Sequence, residues 1–336
     1  MVKPIKLQAP YLVFVGNETN PTFAKTGLGI VQWRPELCLG QLRLSENSID
    51  LGIADLTLEQ ALDAGVKSLI IGVASIGGGV ADEWIDTLAE AASHGIDIIA
   101  GVHKSLNDVP RLREAANISG SALINVRIPP EDLPVGKGVK RTGKRILMVG
   151  TDCAVGKKYT ALALEKDMKK MGLNADFRAS GQTGIMIAGL GIPIDAVVSD
   201  FVSGAAELLS PDNTDDHWDI IEGQGGIFHP GYSAVSMGLL VGSQPDAFIV
   251  CHEANRATMV GWDEFKLPSI GEVIERTVLI GQVTNPEIKC VGICVNTSRI
   301  KPEDREDYLA GLSSKYGLPA VDPIINGTEP IIHSLN

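Results

Sequence analysis

The residues best suited to chemistry lie in one run, Arg145-Ile146-Leu147-Met148-Val149-Gly150-Thr151-Asp152-Cys153-Ala154-Val155-Gly156-Lys157-Lys158-Tyr159-Thr160. An apolar strand runs into a loop bounded by Gly150 and Gly156, and Lys157 sits in the first turn of the helix that follows. Glycines let consecutive backbone N–H groups curl around a phosphate, the helix start adds its positive end, and the lysine supplies a full charge. Gly150, Thr151, Asp152, Cys153, Ala154, Val155, Gly156, Lys157, Lys158 and Tyr159 are therefore the expected cofactor-binding residues. Two features set this loop apart. Five residues separate the glycines instead of the usual four. The residue after Lys157 is Lys158, where a nucleotide-hydrolysing loop carries the Ser or Thr hydroxyl that holds Mg²⁺. A charged ammonium cannot ligate a metal, and Thr160 is two residues further along the helix and faces elsewhere. Phosphate binding is expected; ATP cleavage is not favoured, and no protein-held metal is expected.

Beyond the loop, four residues qualify as proton acceptors: Glu222, His229, His252 and Asp200. Glu222 follows a core strand, at the end where parallel sheets bind ligands; with ATP bound, the same carboxylate would help hold Mg²⁺. His229 lies in the Gly-rich loop Gly225–Gly231 and is either a base or a loop-packing side chain. His252 and Glu253 follow a strand, a position that helix caps also occupy. Lys25, Arg34 and Arg256 are the cations suited to carboxylates, each with a surface ion pair as its alternative. Cys153 lies near a helix start, which lowers a thiol's pKa and admits a nucleophilic role. Gly77-Gly78-Gly79 reads as a close-approach loop or a plain turn. Asp212, Asp215, Asp216 and Asp219 read as a solvated loop entering a strand.

These residues need elements to position them. In the first half, strands are expected at 11–16, 68–73 and 96–101, with helices at 56–64 and 82–93, a rhythm that predicts a parallel sheet with helical crossovers. No Gly-x-Gly-x-x-Gly follows the first strand, which argues against a dinucleotide site there. Segment 129–143, rich in Pro and Gly, reads as an interdomain linker. In the second half, strands are expected at 144–149, 196–199, 218–221, 247–251 and 289–295, and helices at 155–171, 270–282 and 302–312. The organisation is an N-terminal Rossmann-like α/β domain over 1–135 and a P-loop NTPase-like α/β domain over 136–336.

The 336 residues are long enough for two cores, and 37 glycines with 5% aromatic content suit many tight strand-to-helix turns. Five scattered cysteines argue for a reducing compartment, and the start of the chain has no secretory-signal pattern, so a cytoplasmic location is expected. Cys290 and Cys294, four apart in one strand, are expected on the same side as core thiols. A net charge of −12 opposes nucleic-acid binding, and the apolar stretches are strand-sized rather than membrane-spanning. A homo-oligomer is expected for a metabolic enzyme of this size.

The longer loop resembles that of dethiobiotin synthetase and its relatives, Gly-Thr-Asp-x-x-Val-Gly-Lys-Thr, with Lys158 departing at the last position. Glu222-Gly223-Gln224-Gly225-Gly226 is similar to their Glu-Gly-x-Gly-Gly segment, and Asn296 resembles their adenine-contacting asparagine. The whole chain resembles something narrower. Asn20-Pro21-Thr22-Phe23-Ala24-Lys25-Thr26, Trp33-Arg34-Pro35-Glu36, Gly181-Gln182-Thr183-Gly184 and the Glu222 run with His229-Pro230 are similar to a two-domain bacterial and archaeal family. Members of that family are assigned as D-glutamate N-acetyltransferases. The resemblance implies acetyl-coenzyme A as donor, a small amino-acid acceptor, and Lys25, Arg34, Gln182, Thr183 and Arg256 as substrate-binding residues. An acyl transfer needs no metal, which agrees with Lys158; the competing reading is an ATP- and Mg-dependent ligase or kinase.

Overall fold

The structure is a computed structural model describing residues 5–21, 23–73, 79–102 and 104–335. Gly77 and Gly78 of the glycine run, and Thr22 of the N-terminal motif, lie outside the described residues. The chain forms two compact units. One comprises Pro4–Pro129 with Gly181–Pro193; the other comprises Met1–Lys3, Pro130–Ser180 and Ile194–Asn336.

The first unit is a five-stranded sheet of β1 (Tyr11–Gly16), β2 (Cys38–Arg43), β3 (Ser68–Ile71), β4 (Asp97–Ala100) and β5 (Leu123–Asn125), in the order β2-β1-β3-β4-β5. Every pairing is parallel. β1, β3 and β4 are buried at every residue, the signature of strands covered on both faces. The crossover helices end where the sequence punctuates them. Thr57 and Gln60 form a capping box on Leu58–Asp63, and Pro110 opens Pro110–Ser119 while left-handed Gly120 closes it. The helix Gln182–Ala188 belongs to this unit although it lies late in the chain, and Leu190–Gly191 pairs with Ile5–Lys6.

The second unit is a six-stranded parallel sheet of β6 (Lys144–Gly150), β7 (Ala175–Arg178), β8 (Trp218–Ile221), β9 (Ala247–Glu253), β10 (Lys289–Asn296) and β11 (Ala320–Val321). Its order is β11-β10-β9-β6-β8-β7, with all pairings parallel. After β6 the chain first moves to one side and later to the other, so the carboxyl end of β6 is the topological switch point where such sheets bind ligands.

Four expectations need correction. Residues 196–199 form no strand: Pro193 and two acids flank Val197-Val198, and the chain there makes short 3-10 turns at Ile194–Ala196 and Ser199–Phe201. Segment 130–143 is not a free linker. Glu207 accepts the Lys137 and Gly138 N–H groups, Lys140 Nζ donates to Asp246, and Arg141 donates to the Gly242 and Ser243 carbonyls. Asp219 is buried rather than solvated, accepting from Ser210 Oγ and Arg178 Nε. A bulge between Cys290 and Gly292 breaks the alternation on which the same-side placement of Cys290 and Cys294 rested. Burial pushes the Cys290 thiol up to about 12.

Candidate active site

The loop Thr151–Gly156 connects β6 to the helix Lys157–Lys170 at that switch point. Gly156 adopts φ +102 and Ala154 φ +54, so the extra residue is absorbed by two left-handed positions. The strain at Ala154 is held by Arg256, which donates to the carbonyls of Cys153 (2.8 Å) and Ala154 (3.3 Å). Arg256 also donates to Asp152 Oδ2 (3.0 Å) and pairs with Glu253. Its guanidinium is turned into the loop, which corrects the expectation that it receives a substrate carboxylate.

Lys157 Nζ is buried and donates to the carbonyls of Asp152 (2.8 Å) and Gly225 (2.6 Å). Burial lowers its pKa, opposed by smaller effects of nearby thiols and carboxylates. A ligand phosphate therefore competes with two backbone carbonyls for this ammonium. Lys158 follows on the same helix turn, its pKa lowered by burial and raised in part by Glu222, and it places an amine where the hydroxyl of ordinary P-loops holds magnesium. Its ammonium lies 5.2 Å from the Tyr159 ring centroid.

Glu222 follows β8 and is buried; Ser180 donates its N–H to Oε2 (3.0 Å) and its hydroxyl to the Glu222 carbonyl (2.6 Å). Gly223 is required for packing, because a Cβ there would overlap the Met148 carbonyl oxygen of β6. Gln224 Nε2 donates to Ser180 Oγ at 2.9 Å. His252 Nδ1 shares a 3.1 Å hydrogen bond with Thr151 Oγ1; burial, then Arg256, lowers its pKa from 6.5. Asn296 ends β10, its Oδ1 accepting the Ser298 N–H in a local turn. Thr151 to Tyr159, Glu222, His229 and His252 thus gather around the end of β6. Asp200 stands apart in the exposed turn Ser199–Phe201, which removes it from the base candidates. Lys25 is exposed at the start of Lys25–Trp33, Arg34 donates to the Trp33 carbonyl, and Gln182 and Thr183 open Gln182–Ala188; all four belong to the other unit.

His229 behaves differently from the expectation of a base. Its Nδ1 accepts the Gly231 N–H at 3.1 Å, so the proton sits on Nε2, which faces Asp152 Oδ1 at 3.8 Å. That separation is too long for a hydrogen bond, and both atoms are buried without a partner. In this arrangement His229 donates instead of accepting. Its ring stacks on Tyr232 and meets the edge of Trp262, each 4.6 Å between centroids. Trp262 belongs to the hairpin of Thr258–Met259 and Trp262–Lys266, whose Val260 N–H binds Asp152 Oδ2 (2.8 Å). Among the described residues, Asp152, Cys153 and His229 also bring donor atoms within 4.8 Å of one another. The tautomer leaves no ring lone pair for a cation, and Lys157 and Arg256 add two positive charges beside it. Burial raises the Cys153 thiol despite Lys157, so the helix start does not produce a thiolate.

A sequence reading found the loop, Glu222 and both histidines but missed Ser180, Tyr232, Trp262 and the Asp152–His229 facing pair. Gly231-Tyr232 after His229-Pro230 is the only local signal of an aromatic lid on the loop.

A phosphate loop at the switch point of one parallel sheet, joined to a second parallel-sheet unit, defines a two-unit α/β protein of the P-loop class. Residues 134–332 match the P-loop domain of the family described as a domain of unknown function, DUF1611, and residues 45–129 match its Rossmann-like N-terminal domain. The chain belongs to the DUF1611 family. It is 45% identical over 329 residues to a D-glutamate N-acetyltransferase from Tritonibacter scottomollicae, covering 98% of this chain and 99% of that one. It is 42% identical over 331 residues to a D-glutamate N-acetyltransferase from a Pseudoalteromonas species, covering 98% and 100%. The crystal structure of a DUF1611 family protein from Anabaena variabilis aligns with a TM-score of 0.83 at 29% identity, covering 98% and 99%. The expected family and the expected pairing of a Rossmann-like with a P-loop domain are both borne out. Among the described residues, no helix is long and apolar enough to cross a membrane.

Proposed function

We propose that the protein is an enzyme, a D-glutamate N-acetyltransferase that moves the acetyl group of acetyl-coenzyme A to the amino nitrogen of D-glutamate. The observation that carries this reading is the near full-length similarity to two proteins of that name. Residue chemistry supports it. Coenzyme A carries a diphosphate, which the loop N–H groups and Lys157 suit, and thioester aminolysis does not call on the hydroxyl that Lys158 replaces.

The amine attacks the thioester carbonyl, the tetrahedral oxyanion is met by N–H donors, and the coenzyme leaves as a thiol. The substrate ammonium must first lose a proton, and Glu222, at the strand end and within electrostatic reach of Lys157 and Lys158, is assigned as its acceptor. Lys157 exchanges its two carbonyl partners for the diphosphate. The enzyme is placed in the cytoplasm as a homo-oligomer.

Calorimetric titration with acetyl-coenzyme A, followed by thiol release on adding D- or L-glutamate, tests the reading. Binding with D-selective thiol release is expected. Absence of coenzyme binding, or magnesium-dependent release of ADP instead, would turn the assignment to the ligase class.

A further inference from the structure

A cavity of about 620 Å³ lies in the P-loop unit beside the loop. Its size is that of a small-molecule site. One wall is the helix Ser233–Ser243, through Ala234, Val235 and Gly238; another is the segment through Val197 and Ser199 that leads to Val202 at the start of the helix Val202–Leu209. Cys153 and Gly225 of the phosphate-binding region line it as well, so it is continuous with the place where a diphosphate would be held.

The lining is informative for its charge. Among the described residues that line it, none is Lys, Arg or His, and the one carboxylate is Asp195. A dicarboxylate entering here would meet an acid and no cation, which is the wrong electrostatics for D-glutamate. What the walls offer is small apolar side chains with a few neutral polar groups: the Ser199 hydroxyl, the Gln224 amide and Tyr232. That composition matches a slender, uncharged chain carrying amides, and Cys153 contributes a thiol that burial keeps protonated.

We propose that this cavity receives the acyl-pantetheine arm of the thioester donor, threading past Cys153 from phosphates held on the loop, and that the dicarboxylate acceptor binds outside it. The assignment rests on the reading of the loop as a coenzyme A site.

The experiment follows Cys153 alkylation by iodoacetamide in the intact protein, with peptide mass mapping to separate it from the other four cysteines. Acetyl-coenzyme A slows labelling of Cys153 about tenfold or more, whereas adenosine 3′,5′-bisphosphate, which lacks the arm, and D-glutamate alone do not. Ala234→Trp and Val197→Trp fill the cavity from its two walls. Each weakens acetyl-coenzyme A binding about tenfold or more while the bisphosphate keeps its wild-type affinity, which also shows that the variants are folded. Equal protection by the bisphosphate, protection by D-glutamate alone, or a rise in KM for D-glutamate only would overturn the cavity assignment. Coenzyme binding that leaves Cys153 unprotected defeats this inference alone; failure of the wild type to bind coenzyme at all defeats the functional reading with it.

Discussion

The two ends of the six-stranded sheet treat buried charge in opposite ways. At the amino end, Arg145 is 1% exposed and every donor is used. Nε binds Ser210 Oγ, Nη1 the Arg141 and Gly143 carbonyls, and Nη2 the Thr142 and Pro211 carbonyls. The Ser210 hydroxyl donates in turn to Asp219, which also accepts from Arg178 Nε. At the carboxyl end, Asp152 Oδ1, His229 Nε2 and Arg256 Nε are buried without partners, and Lys157 is bound only to backbone carbonyls. A closed network specifies a fold; unspent hydrogen-bonding capacity in the same core marks where a ligand is to be met.

The sharpest way to break this contrast is Asp219→Ala. It removes the buried carboxylate that Ser210 Oγ, Arg178 Nε and His217 Nε2 meet, and the expected loss is about 3–5 kcal/mol in urea unfolding. Acetyl transfer per folded molecule should stay near wild type. Lys157→Met should do the reverse. Loss of a charged donor to the diphosphate lowers kcat/KM about 100-fold or more, equivalent to ~3 kcal/mol, while the unfolding midpoint does not fall, because burial already disfavours that ammonium. If Lys157→Met costs as much stability as Asp219→Ala, the two ends are not different in kind.

Lys158→Thr supplies the missing hydroxyl. A change of only a few-fold in acetyl transfer, at about 1 kcal/mol or less, is expected, together with tighter ATP binding when Mg²⁺ is added. A complete loss of transfer would make Lys158 part of the acyl-transfer machinery itself. The smallest effect is in pH. Burial and Arg256 hold His252 below its ordinary 6.5, so the unfolded chain binds the proton more readily. His252 therefore costs no stability above about pH 6.5 and weakens the fold as pH falls through 6.5 toward its native value. Replacing it with Asn should flatten that part of a stability–pH curve.

The inner strands of both sheets and the loop were legible because buried parallel strands are continuous apolar runs, as in Ile146–Val149, and because the glycines bracket a lysine; the edge strands β2, β5, β7 and β11 were not expected. β7 was not legible: its four residues Ala175-Asp176-Phe177-Arg178 alternate polar and apolar at a sheet edge and look like part of a turn. The helices Val202–Leu209 and Ser233–Ser243 escaped because small and apolar residues fill most of their surfaces, blurring the helical period. In the site, residue type was read correctly and direction was not. Arg256 is a cation three residues past a core strand, but only the fold shows its fork turned back on the loop carbonyls. The donor state of His229 follows from one backbone N–H at Gly231, which no spacing rule contains.

The excursion Gly181–Pro193 has a consequence for how the chain is made. The N-terminal unit lacks a helix and the partner of its first short strand until residue 193 has been synthesised. It cannot be completed on the ribosome as a free-standing body while the following unit waits. A gene cut at Pro129 yields that unit without the helix Gln182–Ala188 and the strand Leu190–Gly191. Maturation of the two bodies is interleaved, and neither can be swapped into another protein as a continuous cassette.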